Sequence, residues 1–243
     1  MSAALLEVDR LDKRFGGVHA VAELSLSVHE GEIVGLIGPN GSGKTTTFHL
    51  ITGFHRPDGG RVRFAGRDVT GAPPYEVCAR GLCRTFQVAR PFRELSVLDN
   101  VVAATLLRHP AHAAARARAE ALVRTVGLEA RAGTPAGALT TIDQRRLEVA
   151  RALGTEPRLI LLDETMGGLT PTEVTEAMRL ITALRERGLT LLVVEHVMRA
   201  IMTLSDRIVV MDQGRWIAEG TPTEIAAHPA VVKAYLGREY RHA

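Results

Sequence analysis

No apolar run in this sequence is longer than a β-strand; the longest, such as Leu159 to Leu162 and Leu191 to Val194, stop far short of a membrane-spanning helix. The opening segment MSAALLEVDR carries acidic residues and no apolar core of signal-peptide length, so a chain that is neither exported nor inserted is expected. Cysteine is scarce. Cys78 and Cys83 have no Cys/His cluster at metal spacing, and a five-residue offset across a helix-to-strand stretch is poor disulfide geometry, so both are expected to be reduced packing residues. A block of one charge is missing too: 30 Lys and Arg stand against 27 Asp and Glu, spread along the chain, and the net charge of +3 describes a solvated surface rather than a nucleic-acid patch. There is no internal repeat.

What is present fits an ordinary globular protein, with 46% hydrophobic and 23% charged residues across 243 positions, enough for one domain with an appended lobe. Short apolar runs recur at Ile33 to Ile37, Leu159 to Leu162, Leu189 to Val194 and Ile208 to Met211. Most follow Gly or Pro and lead into helix-like segments, the pattern of buried parallel strands with crossover helices. Residues 5 to 30 alternate instead, with Leu24, Leu26 and Val28 against Ser25, Ser27 and His29, which predicts a half-solvated antiparallel edge. From about Leu95 to Ala150 the composition turns to Ala, Arg, Leu and Val, so a helical insertion is expected there.

Two motifs carry chemistry. The run Gly38-Pro39-Asn40-Gly41-Ser42-Gly43-Lys44-Thr45 follows a predicted strand, opens a helix and satisfies G-x-x-x-x-G-K-[ST] in full. Its glycines let backbone N–H groups close around a β-phosphate at a helix N-terminus; Lys44 can reach the β- and γ-phosphates, and the Thr45 hydroxyl can ligate Mg²⁺. The candidate nucleotide contacts extend through Thr46. The second motif, Arg158 to Glu164, is an apolar strand ending in two carboxylates. Ligands of an open parallel sheet collect at strand carboxyl ends, so Asp163 is expected near the Mg²⁺ and Glu164 near the γ-phosphate, able to orient or deprotonate the attacking water.

With these motifs in place the chain resembles, nearly end to end, the ATP-binding subunits of ABC transporters. The resemblance implies an α/β fold: a P-loop NTPase core with an N-terminal antiparallel β subdomain and an inserted α-helical subdomain. The core would take residues 1–94 and 151–243, and the helical part 95–150. It further implies that Phe15, in Lys13-Arg14-Phe15-Gly16-Gly17, stacks on adenine. Gln87, in Arg84-Thr85-Phe86-Gln87, would contact Mg²⁺ or the lytic water and hinge the helical lobe, and His196, after Val193-Val194-Glu195, would touch the γ-phosphate. Catalysis would then rest on Glu164, His196, Lys44 and Gln87, and the metal on Thr45, Gln87 and Asp163. RTFQ followed by Pro91-Phe92, the stretch QRRLEVARAL and the ending VVKAYLG are most similar to importer ATPases for branched-chain amino acids.

The implied cofactors are ATP and Mg²⁺. The implied partners are a second ATPase subunit, transmembrane permeases and, indirectly, a substrate-binding protein, at the cytoplasmic face of the cell membrane. A soluble relative acting on DNA or ribosomes is the alternative, although such chains usually carry a long coiled coil or two ATPase domains. A hydrolysis-impaired regulatory subunit is another, motivated by one departure: where the family signature reads LSGGQ, this chain has Leu139-Thr140-Thr141-Ile142-Asp143. Ile142 puts a branched side chain where close approach is wanted. An unrelieved Asp143 about 6 Å from a phosphate charge would cost roughly 3 kcal/mol at an effective dielectric near 20. Thr165 stands in place of the usual Pro, and Thr170 in place of the usual Asp or Asn. The expected result is a chain that works beside a different subunit with an intact signature, a homodimer being the alternative.

Overall fold

The computed structural model describes residues 3–86 and 90–239. The chain opens with a hairpin of β1 (Leu6–Phe15) and β2 (Val18–Val28), antiparallel with Leu6 opposite Val28 and Phe15 opposite Val18. In β2 the burial alternates as expected, Leu24, Leu26 and Val28 inward and Glu23 and Ser25 outward. There follow β3 (Ile33–Ile37), α1 (Lys44–Ile51), β4 (Gly59–Phe64), β5 (Arg67–Asp68), α2 (Pro74–Ala79) and β6 (Leu82–Arg84). Three helices come next: α3 (Val97–Thr105), α4 (His112–Thr125) and α5 (Thr141–Gly154). The remainder is β7 (Leu159–Asp163), α6 (Pro171–Glu186), β8 (Thr190–Val194), α7 (Met198–Leu204), β9 (Arg207–Asp212), β10 (Arg215–Gly220), α8 (Pro222–Ala227) and α9 (Pro229–Glu239). No helix of the described residues is long and apolar enough to cross a membrane. Cys78 and Cys83 are free thiols.

Two sheets result, one of four strands in the order β2-β1-β4-β5 and one of six in the order β10-β9-β3-β8-β7-β6. Within the larger sheet β9, β3, β8, β7 and β6 run parallel, and only β10 is antiparallel to its neighbour. Every residue of β3, β7 and β8 is buried, because both faces of this sheet are covered. The two-residue period of a strand divides their side chains between two cores. Val34, Leu36, Leu161, Leu192 and Val209 point into a core shared with the hairpin and α1. Ile33, Ile37, Ile160, Leu162, Val193 and Val210 point into a second core with helices. Each parallel strand of five buried residues thereby acts as a rigid rod sandwiched between layers, and its C-terminal end is fixed in space.

The four strands β3, β8, β7 and β6 are neighbours and parallel, so the segments that follow them leave the sheet at one edge. Those segments hold Gly38 to Lys44, Glu195-His196, Glu164 and Phe86. The topology brings together the two halves of the chain's chemistry, with the helices α3 to α5 inserted between β6 and β7.

The entry to these helices is held by one buried amide. Asn100, on α3 and fully buried, accepts from the Phe92 N–H at 2.8 Å and donates to the carbonyls of Phe92, Leu95 and Ser96 at 3.0, 3.2 and 2.9 Å. Removing it strands the Phe92 N–H, at about 1 to 3 kcal/mol, while the carbonyls of Phe92, Leu95 and Ser96 keep the backbone N–H groups of Leu95, Ala136 and Asn100. Asn100→Ala is expected to lose about 1 to 3 kcal/mol in urea unfolding, whereas a change under about 0.5 kcal/mol would show that the loop is held by other contacts.

Candidate nucleotide site

The loop after β3 is shaped by glycine where nothing else fits. Gly43, at φ 105°, precedes α1, and a Cβ there would lie 2.2 Å from the Ala20 carbonyl oxygen. At Gly38 a Cβ would meet the Met211 carbonyl oxygen at 2.1 Å. The loop is therefore pressed against both β2 and β9, and its remaining freedom is taken up by Ser42 N–H donating to Pro39 at 3.0 Å and Gly214 N–H donating to Ser42 at 2.9 Å. Lys44 Nζ donates to the Gly38 and Pro39 carbonyls at 2.7 and 3.2 Å, which holds the ammonium over the turn. An open cleft of about 800 Å³ lies against this loop; Asn40, Gly41, Gly43, Lys44, Thr45, Thr46, Glu164 and His196 line it together. Pro39 sits beside them, and Ser42 is buried beneath the loop.

Opposite the cradle, Glu164 occupies a left-handed backbone conformation at φ 49°, an uncommon state for a residue with a side chain, which turns the chain sharply off β7. Its N–H donates to the Val194 carbonyl at 2.8 Å, extending the β7–β8 pairing by one step, and its Oε1 lies 2.5 Å from His196 Nε2. The turn after it is pinned by Glu195. That carboxylate, 2% exposed, accepts from Met166 N–H at 2.8 Å and Thr165 Oγ1 at 3.2 Å. Burial pushes its pKa up, against the pull of those hydrogen bonds. Thr165 thus has a bonding role here that a proline could not fill.

Asp163 lies one residue back and is almost wholly buried. Arg84 Nη2, from the end of β6, donates to Asp163 Oδ2 at 2.7 Å, and Asp163 N–H is held by Thr85 Oγ1 at 3.2 Å. Burial raises the Asp163 pKa and the Arg84 charge opposes it. Asp163 Oδ1 and Ser42 Oγ are buried and meet no hydrogen-bond partner among the described residues. An aromatic group backs the pair: the Arg84 guanidinium carbon lies 4.9 Å from the Phe86 ring centre and 5.5 Å from that of Phe54. His49 stands 5.9 Å from Phe54 and 4.9 Å from His55, centre to centre.

The segment that follows is clasped from α5. Glu148 accepts from the N–H groups of Phe86 and Arg90 at 3.4 and 3.3 Å, while Arg145 and Arg151 donate to the Phe86 and Arg90 carbonyls at 3.1 and 2.8 Å. Gln87 itself lies outside the described residues. Phe15 is 43% exposed and stands edge-on to His55 at 5.3 Å; it does not line the cleft, to which the hairpin contributes Val18, His19 and Ala20.

The unrelieved charge expected at Asp143 is corrected by the structure. Thr140 caps α5 and accepts the Asp143 N–H at 3.4 Å, and the Asp143 carboxylate lies 3.3 Å from Arg131 and 3.8 Å from Arg146. The side chain is 11% exposed. Two guanidinium groups neutralise it, so the repulsion of roughly 3 kcal/mol set out for a bare charge does not apply. Ile142, by contrast, keeps its bulk at the start of the helix. Thr170 caps α6 in a capping box with Glu173.

Val18, His19, Gln213, Glu195 and Arg84 belong to the site or its supports and carry no motif of their own. Arg84 and Glu195 had a signal, their places in RTFQ and in Val193-Val194-Glu195-His196.

Residues 21–167 match the ABC transporter family, and residues 217–241 match a branched-chain amino acid ATP-binding cassette transporter family. The chain is 44% identical to the high-affinity branched-chain amino acid transport ATP-binding protein LivG of Salmonella typhimurium, covering 98% of this chain and 99% of LivG. Its identity to BraF of Pseudomonas aeruginosa, a protein of the same description, is 41% over 98% and 99%. Among solved structures, the ADP conformation of an ATP-binding cassette of an ABC transporter superposes with a TM-score of 0.88 at 30% identity, covering 97% of this chain and 100% of that one.

The aromatic group behind the site gives a pH test. Burial first, and then the charge of Arg84, lower the His49 pKa from 6.5 to about 4, so the folded state takes up its proton later than the unfolded chain does. Between those two values the unfolded state binds more protons, and stability falls as pH falls through that window. Thermal melts from about pH 7 to about pH 4.5 should show Tm declining, with a shallower decline in His49→Gln. An equal slope in the variant would place the acid sensitivity elsewhere.

Proposed function

The chain belongs to the ABC transporter family, and on that footing we propose that it is the ATP-hydrolysing subunit of an importer for branched-chain or related amino acids. The observation that supports this most is the single cleft holding Lys44 and the loop amides on one side and Glu164 with His196 on the other. The match of residues 217–241 and the likeness to LivG and BraF favour amino acid import.

In this reading the loop N–H groups from Asn40 to Thr46, at the positive end of α1, take the β-phosphate. Lys44 moves from the carbonyls of Gly38 and Pro39 to the phosphates. Glu164 orients the attacking water and takes up its proton, and His196, held at Glu164 Oε1, meets the γ-phosphate. Phe15 or the neighbouring hairpin residues support the base, and Gln87 reaches the water or the metal. The oxygens available suit Mg²⁺, a hard cation that accepts a hydroxyl, a carboxylate and phosphates: Thr45 stands exposed at the start of α1, and Asp163 Oδ1 is buried without a partner among the described residues. Bound there, Mg²⁺ would neutralise charge developing on the phosphates.

The signature loop of a second subunit would complete the site. Ile142 in this chain's own loop favours pairing with a different ATPase subunit, whose cradle would face Leu139 to Asp143. Residues 95–150 would act as a lobe, its motion carried to segment 86–90 by Glu148, Arg145 and Arg151 on α5, and from there to permeases at the cytoplasmic face of the membrane. A substrate-binding protein would act through those permeases.

The test is ATP trapping. Glu164→Gln, incubated with Mg-ATP and sized by chromatography, is expected to form a stable ATP-bound dimer with a second ATPase subunit of the transporter, which the wild type does not. A trapped homodimer of this chain alone would reject the mixed pairing; failure to trap ATP in any combination would reject hydrolysis by Glu164.

A further inference from the structure

Arg84 belongs to neither the cradle nor the strand-end carboxylates, yet it is 8% exposed and its charge is spent on Asp163. A guanidinium costs several kcal/mol to bury, and the pairing with Asp163 offsets part of that cost, although Nη1 meets no hydrogen-bond partner among the described residues. Here Nε donates to the Thr85 carbonyl at 3.2 Å, Nη2 donates to Asp163 Oδ2, and the flat group packs against Phe54 and Phe86, whose own rings meet edge to face at 5.6 Å. The carboxylate is divided unequally: Oδ2 is taken by the arginine, and Oδ1 is buried with no partner among the described residues.

We infer that Arg84 is a positioning residue for the divalent cation: by occupying Asp163 Oδ2 it fixes the carboxylate and reserves Oδ1 for the metal, and it keeps Asp163 from closing onto Lys44. The inference rests on the nucleotide site proposed above and adds to it the residue that presets the metal side. Lys44 and Glu164 are the other charges acting on Asp163. Without the guanidinium, Lys44 is the cation left for a buried carboxylate to turn to, and a carboxylate so turned is lost to the metal. A lysine at position 84 would keep the charge but not the planar fork that reaches Thr85 and Asp163 together between two rings.

The test uses the full-length protein, a fluorescent ATP analogue, and titration with Mg²⁺ or with excess EDTA. In Arg84→Met the Mg²⁺ concentration for half-maximal enhancement of nucleotide binding should rise about tenfold, a factor equivalent to ~1.4 kcal/mol, while affinity in EDTA changes less than about twofold. Arg84→Lys should fall between Arg84→Met and wild type. An unchanged Mg²⁺ midpoint in both variants, or an equal loss of affinity with Mg²⁺ and with EDTA, would overturn the inference and leave Arg84 a packing residue. If Arg84→Met does not fold, Arg84→Lys decides alone, its midpoint shifting by about threefold or the inference failing. Wild-type protein that binds no nucleotide under either condition would remove the site itself, an outcome distinct from variants that behave as wild type.

Discussion

The parallel register of β3, β8, β7 and β6 is the constraint on which the site depends. Each strand is short, and the central three are buried along their whole length, so none can slip by one residue without turning apolar side chains between two separate cores. The ends of these strands are therefore fixed relative to one another. The left-handed turn at Glu164 and the tight loop at Gly43 then direct the functional groups from these fixed ends into one cleft. Strain at Glu164 is tolerated because Val194 and Glu195 hold the turn from both sides.

Charge in this site is arranged before any ligand arrives. Lys44 rests on carbonyls, Asp163 on Arg84, Glu164 on His196 and Glu195 on backbone N–H groups. Asp163, buried and paired with Arg84, needs little reorganisation when a polyanion enters, and preorganised dipoles stabilise charge better than mobile water does. The same logic extends outward through α5, where Glu148, Arg145 and Arg151 hold the backbone on both sides of Gln87. At the other end of that helix, Asp143 is neutralised by Arg131 and Arg146. One helix thereby links the altered signature to the segment that follows β6.

Much of this was legible in the residues. The run Gly38 to Thr45 names its own geometry, since its glycines, lysine and threonine have fixed spacing, and the apolar runs gave the buried strands to within a residue or two. The alternation of residues 5 to 30 gave a half-solvated antiparallel edge, but not its folding into the two-stranded hairpin of β1 and β2. What local pattern could not reveal were contacts between distant parts of the chain. Arg84 and Asp163 are 79 residues apart, so nothing near either one announces the pair. Asp143 was expected to present a bare charge because its neutralising Arg131 lies on another element. Glu195 was given no role beyond standing before His196, yet its burial makes it the anchor of the turn at Glu164.

The proposed activity depends first on a nucleoside triphosphate being held by the loop amides and Lys44. Isothermal titration of the purified protein with ATP in excess Mg²⁺ tests it most directly. Saturable binding that weakens by at least about a hundredfold, or ~2.7 kcal/mol, in Lys44→Ala is the predicted result. Binding of equal strength in both proteins would contradict it.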